Sequence, residues 1–209
     1  HKFDRRDNHT NITIEDIIDA NKGKVDIYGR PIPPPTLHVG MDFNVGKMAA
    51  IVHIIDDLGP IAIDEVIDAR DTEQMISLLK ERYSQFSISV YPDSSGGSRH
   101  TSNSSTSDLN MLRSAGFNVV VGNTNPPVKD RINSMNMAFC NNDGVRRYRV
   151  NTHKCKRYTE TLEQQVYDSN GIPDKKNDHD HPNDAGGYFI FSKYPVKRYQ
   201  SGGIRMVGV

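Results

Sequence analysis

The 209 residues carry 26 Lys and Arg against 26 Asp and Glu, a balance that by itself announces no nucleic-acid partner. The length suits one domain around one core, with room for an appended arm. Cys140 and Cys155 make no disulfide framework and suit a reducing compartment, and with His153 they lack the paired Cys-x-x-Cys spacing of structural zinc sites. No apolar run approaches the ~20 residues of a membrane span, and no charged-then-apolar leader opens the chain, so no membrane is expected.

A chain opening on His1 rather than Met reads as a piece of a longer polypeptide. Residues 1–36 are polar, with a short helix expected around Thr13 to Ile18, and they end in Pro31-Ile32-Pro33-Pro34-Pro35. Consecutive prolines hold an extended, semi-rigid spacer, so this stretch is expected to be an arm or interdomain linker. The folded domain is expected over 37–209. Three strands follow at about 37–44, 48–55 and 60–67, joined by turns short enough for antiparallel hairpins. Asp71-Thr72 caps a helix with Met75, Leu78, Leu79 and Tyr83 on one face. Phe86 to Tyr91 alternates as a fourth strand, and a Gly/Ser loop over Ser94 to Ser105 leads to a helix near Ser107 to Ala115.

Phe117 to Val121 makes a fifth strand. Pro126 and Pro127 suit the first turn of a helix in which Val128, Ile132, Met135 and Phe139 recur at helical spacing. Val145 to Val150 reads as a short extra strand, Leu162 and Val166 mark a further helix, and Pro182 to Ser192 the last. This order implies an α/β fold with a five-stranded mixed sheet, strand order 3-2-1-4-5, flanked by helices. That is the ribonuclease H-like pattern.

Asp42 stands in the run Leu37 to Gly46, which otherwise reads as buried sheet. Strand interiors are depleted in Asp, and a buried carboxylate needs a hydrogen-bonding network or a cation beside it. With strands one and four adjacent, Asp42 meets Asp93, and Asp184 on the last helix completes a set of three. Singly, Asp93 also reads as turn chemistry and Asp184 as a first-turn acid favoured by the helix dipole. Together they predict a site for two Mg²⁺ or Mn²⁺ ions about 4 Å apart, able to activate water and stabilise a departing 3′ oxygen. Asp42 is the expected bridging ligand. His181, three residues before Asp184, shares its helical face and is expected to orient water or ligate weakly. Asp64 and Glu65 are reserve candidates, expected at the surface.

Charge is uneven locally. Arg146 to Arg157 holds six Lys/Arg and no acid, and Asp174 to Asp184 holds four Asp and two His. A basic patch beside an acidic pocket fits an enzyme acting on a polyanion. The expected DNA contacts are Lys129, Arg131, Arg146, Arg147, Arg149, Lys154 and Lys156.

Four segments carry a family resemblance: Gly-Met-Asp-Phe-Asn-Val-Gly-Lys (40–47), Tyr-Pro-Asp-Ser-Ser-Gly (91–96), Val-Lys-Asp-Arg-Ile-Asn-Ser-Met-Asn (128–136) and Asp-His-Pro-Asn-Asp-Ala-Gly-Gly-Tyr (180–188). Over 37–195 the chain resembles the C-terminal nuclease domain of phage large terminase subunits, most of all those of short-tailed enteric phages. The resemblance implies a two-metal endonuclease that cuts concatemeric double-stranded DNA in the host cytoplasm during viral genome packaging. It maps the family's carboxylates onto Asp42, Asp93 and Asp184 and its metal-side histidine onto His181. It also implies a small terminase subunit and a portal protein as partners. An ATPase domain with a Gly-Lys-Ser/Thr phosphate loop belongs to the same polypeptide in that family, and no such loop occurs here. Two other classes stay open. Gly40 to Gly46 also resembles the first phosphate loop of actin-like ATPases and sugar kinases, and a non-catalytic portal-docking module is the third reading.

Overall fold

The computed structural model describes residues 2–44, 46–97, 107–166, 173 and 180–196. The Gly/Ser loop from 98 to 106 and the acidic stretch over 174–179 lie outside the described residues.

Three strands open the domain: β1 (Leu37–Asp42), β2 (Met48–Asp56) and β3 (Gly59–Ala69). Both β1 with β2 and β2 with β3 pair antiparallel, as the short turns require. The helix α2 (Thr72–Arg82, so numbered because Ile14–Asn21 in the arm forms α1) then crosses one face, its Asp71 cap accepting from the Gln74 amide. It returns the chain to β4 (Ile88–Pro92), which pairs parallel with β1. A 3₁₀ turn at Ser94–Gly97, α3 (Asp108–Ser114) and the two-residue β5 (Asn118–Val119) follow. After α4 (Val128–Phe139) come β6 (Arg149–Val150), α5 (Lys156–Gln164) and α6 (Asp180–Lys193).

The sheet order is β5-β4-β1-β2-β3-β6. The expected 3-2-1-4-5 order is present, and the sheet has six strands rather than five because β6 pairs parallel with β3 beyond its expected edge. The extra strand foreseen near Val150 is real, and it belongs to this sheet.

Strand alternation sorts side chains onto two faces. Leu37, Val39 and Met41 pack with Val52, Ile63, Val90, Met75, Leu79 and Leu112 in one aliphatic core. The other face packs Ile51, Tyr91, Phe139, Tyr148 and Tyr158 against Ala185, Phe189 and Ile190 of α6. By the same parity Asp42 and Asp93 belong to the α6 side.

Helix α6 lies unusually close to β1. A Cβ on Gly40 would run into the Ala185 carbonyl and stand 3.2 Å from the Phe189 Cβ. Glycine here is a packing requirement, which accounts for Gly40 without a phosphate loop.

The arm is laid along the domain. Asn8 is buried, its amide donating to the Phe139 and Tyr148 carbonyls at 2.9 Å each, and Val150 N donates to the Asn8 carbonyl at 2.8 Å. Phe3 meets the Phe139 ring edge-on at 5.1 Å. Ile14, Ile17 and Ile18 of α1, which opens with a Thr13/Asp16 capping box, pack against the aliphatic core.

Candidate functional site

Three elements end or begin at one place. The Asp93 amide donates to the Met41 carbonyl at 3.2 Å, continuing the parallel ladder and setting Asp93 beside Asp42. Both side chains are buried, although each is a carboxylate. The first turn of α6 brings Asp180, His181 and Asp184 onto them. Together with Asn44, Ser95, Asn125 and Tyr188 they line a cavity of about 300 Å³. The three expected aspartates and His181 therefore line one cavity.

Each carboxylate has a defined partner. His181 Nδ1 donates to Asp42 Oδ2 at 2.9 Å, and Asn44 Nδ2 donates to His181 Nε2 at 2.7 Å, a network that assigns the ring proton to Nδ1. With both nitrogens engaged, His181 lines the cavity while holding Asp42 through Oδ2. Asp93 Oδ1 accepts from the Ser95 amide at 2.7 Å and from the Ser95 hydroxyl, so its turn-forming and site-lining roles coincide. Asp184 Oδ1 accepts from Arg131 Nη2 at 2.5 Å.

Burial pushes the Asp184 carboxyl up to about 6, and the nearby Asp42 and Asp180 charges add to the rise while Arg131 opposes it. Burial, with the two neighbouring carboxylates, outweighs what Arg131 offsets. Crowded, oxygen-only donors suit a hard divalent cation, and the donor set fits Mg²⁺ or Mn²⁺. Among the described residues no three His, Cys, Asp or Glu side chains stand close enough, as placed, to grip one ion.

Two features were missed from sequence. Asp180, 5% exposed, is a fourth carboxylate in the cavity. Its signal was the one-turn spacing from Asp184 on the helix that this segment opens, where Asp184 and His181 alone were chosen. The second is the role of Arg131. It was expected on DNA, but it is 5% exposed, stacked 4.5 Å over the Tyr188 ring, and clamped on Asp184. The slot exists because residue 187 is glycine: a Cβ there would stand 2.8 Å from Arg131 Cδ and Cγ.

Two further arginines expected on DNA are engaged inside the domain. Arg146 binds the arm through Asn8 Oδ1 at 2.8 Å and Asp7 at 3.3 Å, and Arg149 Nη2 meets Asp56 at 2.5 Å. Lys129, Arg147, Lys154 and Lys156 are exposed. The reserve acids take structural tasks instead of lying at the surface. Glu65, half-buried, accepts from the first amides of α5 at 2.9 and 2.8 Å, and Asp64 accepts from the Tyr83 hydroxyl at 2.8 Å.

A mixed sheet with buried carboxylates at the ends of two adjacent parallel strands, met by more on a covering helix, defines a ribonuclease H-like domain. The family model for the terminase RNaseH-like domain matches residues 39–193, and the chain belongs to that family. Solved structures agree in fold. The large terminase of a thermophilic bacteriophage superposes with a TM-score of 0.62 at 18% identity, covering 91% of this chain and 44% of that one. This chain therefore spans less than half of that terminase. The nuclease domain of the bacteriophage SPP1 large terminase, solved with bound Mn, gives 0.54 at 18% identity over 88% of this chain and 93% of its own. The P22 large terminase nuclease domain gives 0.54 at 17% identity over 77% and 82%. No curated protein sequence matches significantly.

Proposed function

We propose that this domain is the metal-dependent endonuclease of a viral DNA-packaging terminase, hydrolysing phosphodiesters of double-stranded DNA. The observation that carries the reading is the convergence of Asp42, Asp93, Asp180 and Asp184 on one cavity at the carboxyl ends of β1 and β4. Mn bound in the SPP1 nuclease domain supports the choice of ion. Asp42, Asp93 and Asp184 would hold two Mg²⁺ or Mn²⁺ ions, whose chemistry is Lewis acidity toward the phosphate and a nucleophile at neutral pH.

The chain's own residues do the positioning. His181, fixed by Asn44, holds Asp42 through Oδ2. Arg131 grips Asp184 through Oδ1, a charge-assisted bond in a dry setting that locks the side-chain rotamer. Tyr188, half-sandwiched by Arg131, walls the cavity. Lys47 and Arg157 line a neighbouring hollow of about 260 Å³ that shares His181, and they are well placed to meet the backbone of a bound strand. None of these groups reads a base edge, so cutting by the isolated domain is sequence-independent. In the whole machine, site choice and timing fall to an ATPase domain of the same polypeptide, the small terminase subunit and the portal, in the host cytoplasm.

Nicking of supercoiled plasmid tests the reading. Mn²⁺ or Mg²⁺ supports it, Ca²⁺ supports it poorly because longer, looser bonds misplace the attacking water, and ATP is not hydrolysed. ATP hydrolysis without nicking would move the domain to the actin-like class.

A further inference from the structure

The carboxylate cavity is the middle of three hollows in a row along the carboxyl-terminal edge of the sheet. On one side lies the Lys47/Arg157 hollow, beside β2 and β3, joined through His181. On the other, beside β4 and β5, opens a groove of about 480 Å³ joined through Tyr188 and Asn125. From β3 to β5 this edge crosses four inter-strand spacings of ~4.8 Å, about 19 Å in all. At the roughly 3.4 Å axial rise of a duplex strand, that edge is about five to six base steps long.

The two flanks differ in chemistry. The first is polar, with two cations beside Asp68. The second is walled in part by Val120, Val121, Pro126, Pro127 and Phe191, and the Lys193 ammonium stands 5.8 Å from the ring centroid of Tyr91, another lining residue. A groove of this size suits a small planar ligand. Ser94, Thr124, Asn125 and Ser192 also line it, so a nucleobase has an apolar face to lay on Phe191 and polar groups for its edges to meet.

The geometry points to this groove as a nucleoside pocket. Resting on the nuclease reading, we infer that it takes an unstacked base of the cut strand, one step from the scissile phosphate, while Lys47 and Arg157 hold the backbone on the other side. Unstacking a paired base costs a few kcal/mol and much less where the strand is already open. The domain should therefore favour locally opened DNA over perfect duplex. This preference comes from stacking and carries no sequence code.

The test uses the full chain carrying Asp42→Asn, so that binding is measured without cutting. Its ligands are two 20-mers, a perfect duplex and the same sequence with a three-base bubble, each with 2-aminopurine at the centre. The bubble is expected to bind at least about tenfold tighter, with a change in 2-aminopurine emission on binding. Phe191→Ala, at a half-buried residue whose loss leaves both cores intact, should weaken bubble binding about fivefold to a hundredfold, the range of base–aromatic stacking. Perfect-duplex binding should stay the same. Val120→Trp fills the groove from its exposed rim and should also bring the bubble down to the duplex level. Equal affinity of the unmodified groove for bubble and duplex would overturn the proposal and leave the groove to a protein partner. So would an unchanged ratio in both groove variants. Failure of the Asp42-containing chain to nick any DNA would instead sink the nuclease reading, which this binding ratio does not measure.

Discussion

Under α2 and α3 the sheet presents Leu37, Val39, Met41, Val52, Ile63 and Val90, an aliphatic surface. Under α6 it presents His38, Gly40, Asp42, His53 and Tyr91, and their polar atoms are satisfied one by one. His53 Nε2 meets the Tyr148 hydroxyl at 2.7 Å, that hydroxyl meets Tyr158 at 2.9 Å, and His38 Nδ1 meets the Tyr91 hydroxyl at 2.9 Å. Burial of apolar area, at roughly 25 cal/mol per Å², makes the first face the main source of stability. The second face spends packing freedom on orientation, because a buried polar group is tolerated only with its partners in place. Both faces carry a core, and the one under α6 also aims the carboxylates.

The largest effect expected from this division is on catalysis. Asp42→Asn keeps the size and removes the charge, so plasmid nicking should fall by orders of magnitude while the melting temperature stays close to that of the parent chain. A variant that unfolds instead would show that the site face is structural as well. On the aliphatic face the pattern should invert. Leu79→Ala, at a fully buried position, should cost about 2–5 kcal/mol in urea unfolding. Its folded fraction should keep the parent's metal requirement.

Gly40→Ala probes the seam between the faces. The new methyl meets the Ala185 backbone, so α6 must move, at a cost of about 1–3 kcal/mol. Because α6 also carries Asp180, His181 and Asp184, nicking should fall by more than the lost stability explains. A stability loss with unchanged nicking per folded molecule would break the link between that close approach and the site.

The smallest effect is a matter of pH, and the site opposes the network beneath it. Burial holds the His53 imidazole down at about 3 and His38 at about 4, both below the ordinary 6.5. The unfolded chain then binds the extra protons, so their contribution is intact above 6.5 and is lost as pH falls below it. Asp184 is raised from 3.8 to about 6, so here the folded chain binds the extra proton and stability is lost as pH rises from about 4 to 6. In EDTA, Asp184→Asn should match the parent near pH 4 and exceed its stability above pH 6, by on the order of 3 kcal/mol. A less stable variant at pH 7 would mean that the Arg131 pair outweighs the cost of burying the Asp184 charge.

Much of this was legible in the chain. Short turns after Asn44 and Asp56 force hairpins, alternation sorts the strand faces, and the strand order 3-2-1-4-5 implied by the element order places Asp42 beside Asp93. Two-residue β6 left no periodic signal, so the sixth strand's place in the sheet was not legible. Arg131 was misread for a different reason. An arginine in the first turn of a helix ordinarily faces solvent, and its burial depends on Gly187 and Tyr188, more than fifty residues away. Likewise, Asp180 reads as one more acid in an acidic stretch until the helix start is known.

The most direct test of the central claim couples binding to cutting in one sample. Mn²⁺ is titrated into the parent chain and into the Asp42→Asn, Asp93→Asn, Asp184→Asn triple variant, followed by paramagnetic resonance of the free ion, and plasmid nicking is assayed at each point. The parent chain should take up Mn²⁺ and begin to nick as it does so, and the folded triple variant should do neither. Nicking by the triple variant at the parent rate would contradict the account, because the cation and the chemistry would then lie elsewhere.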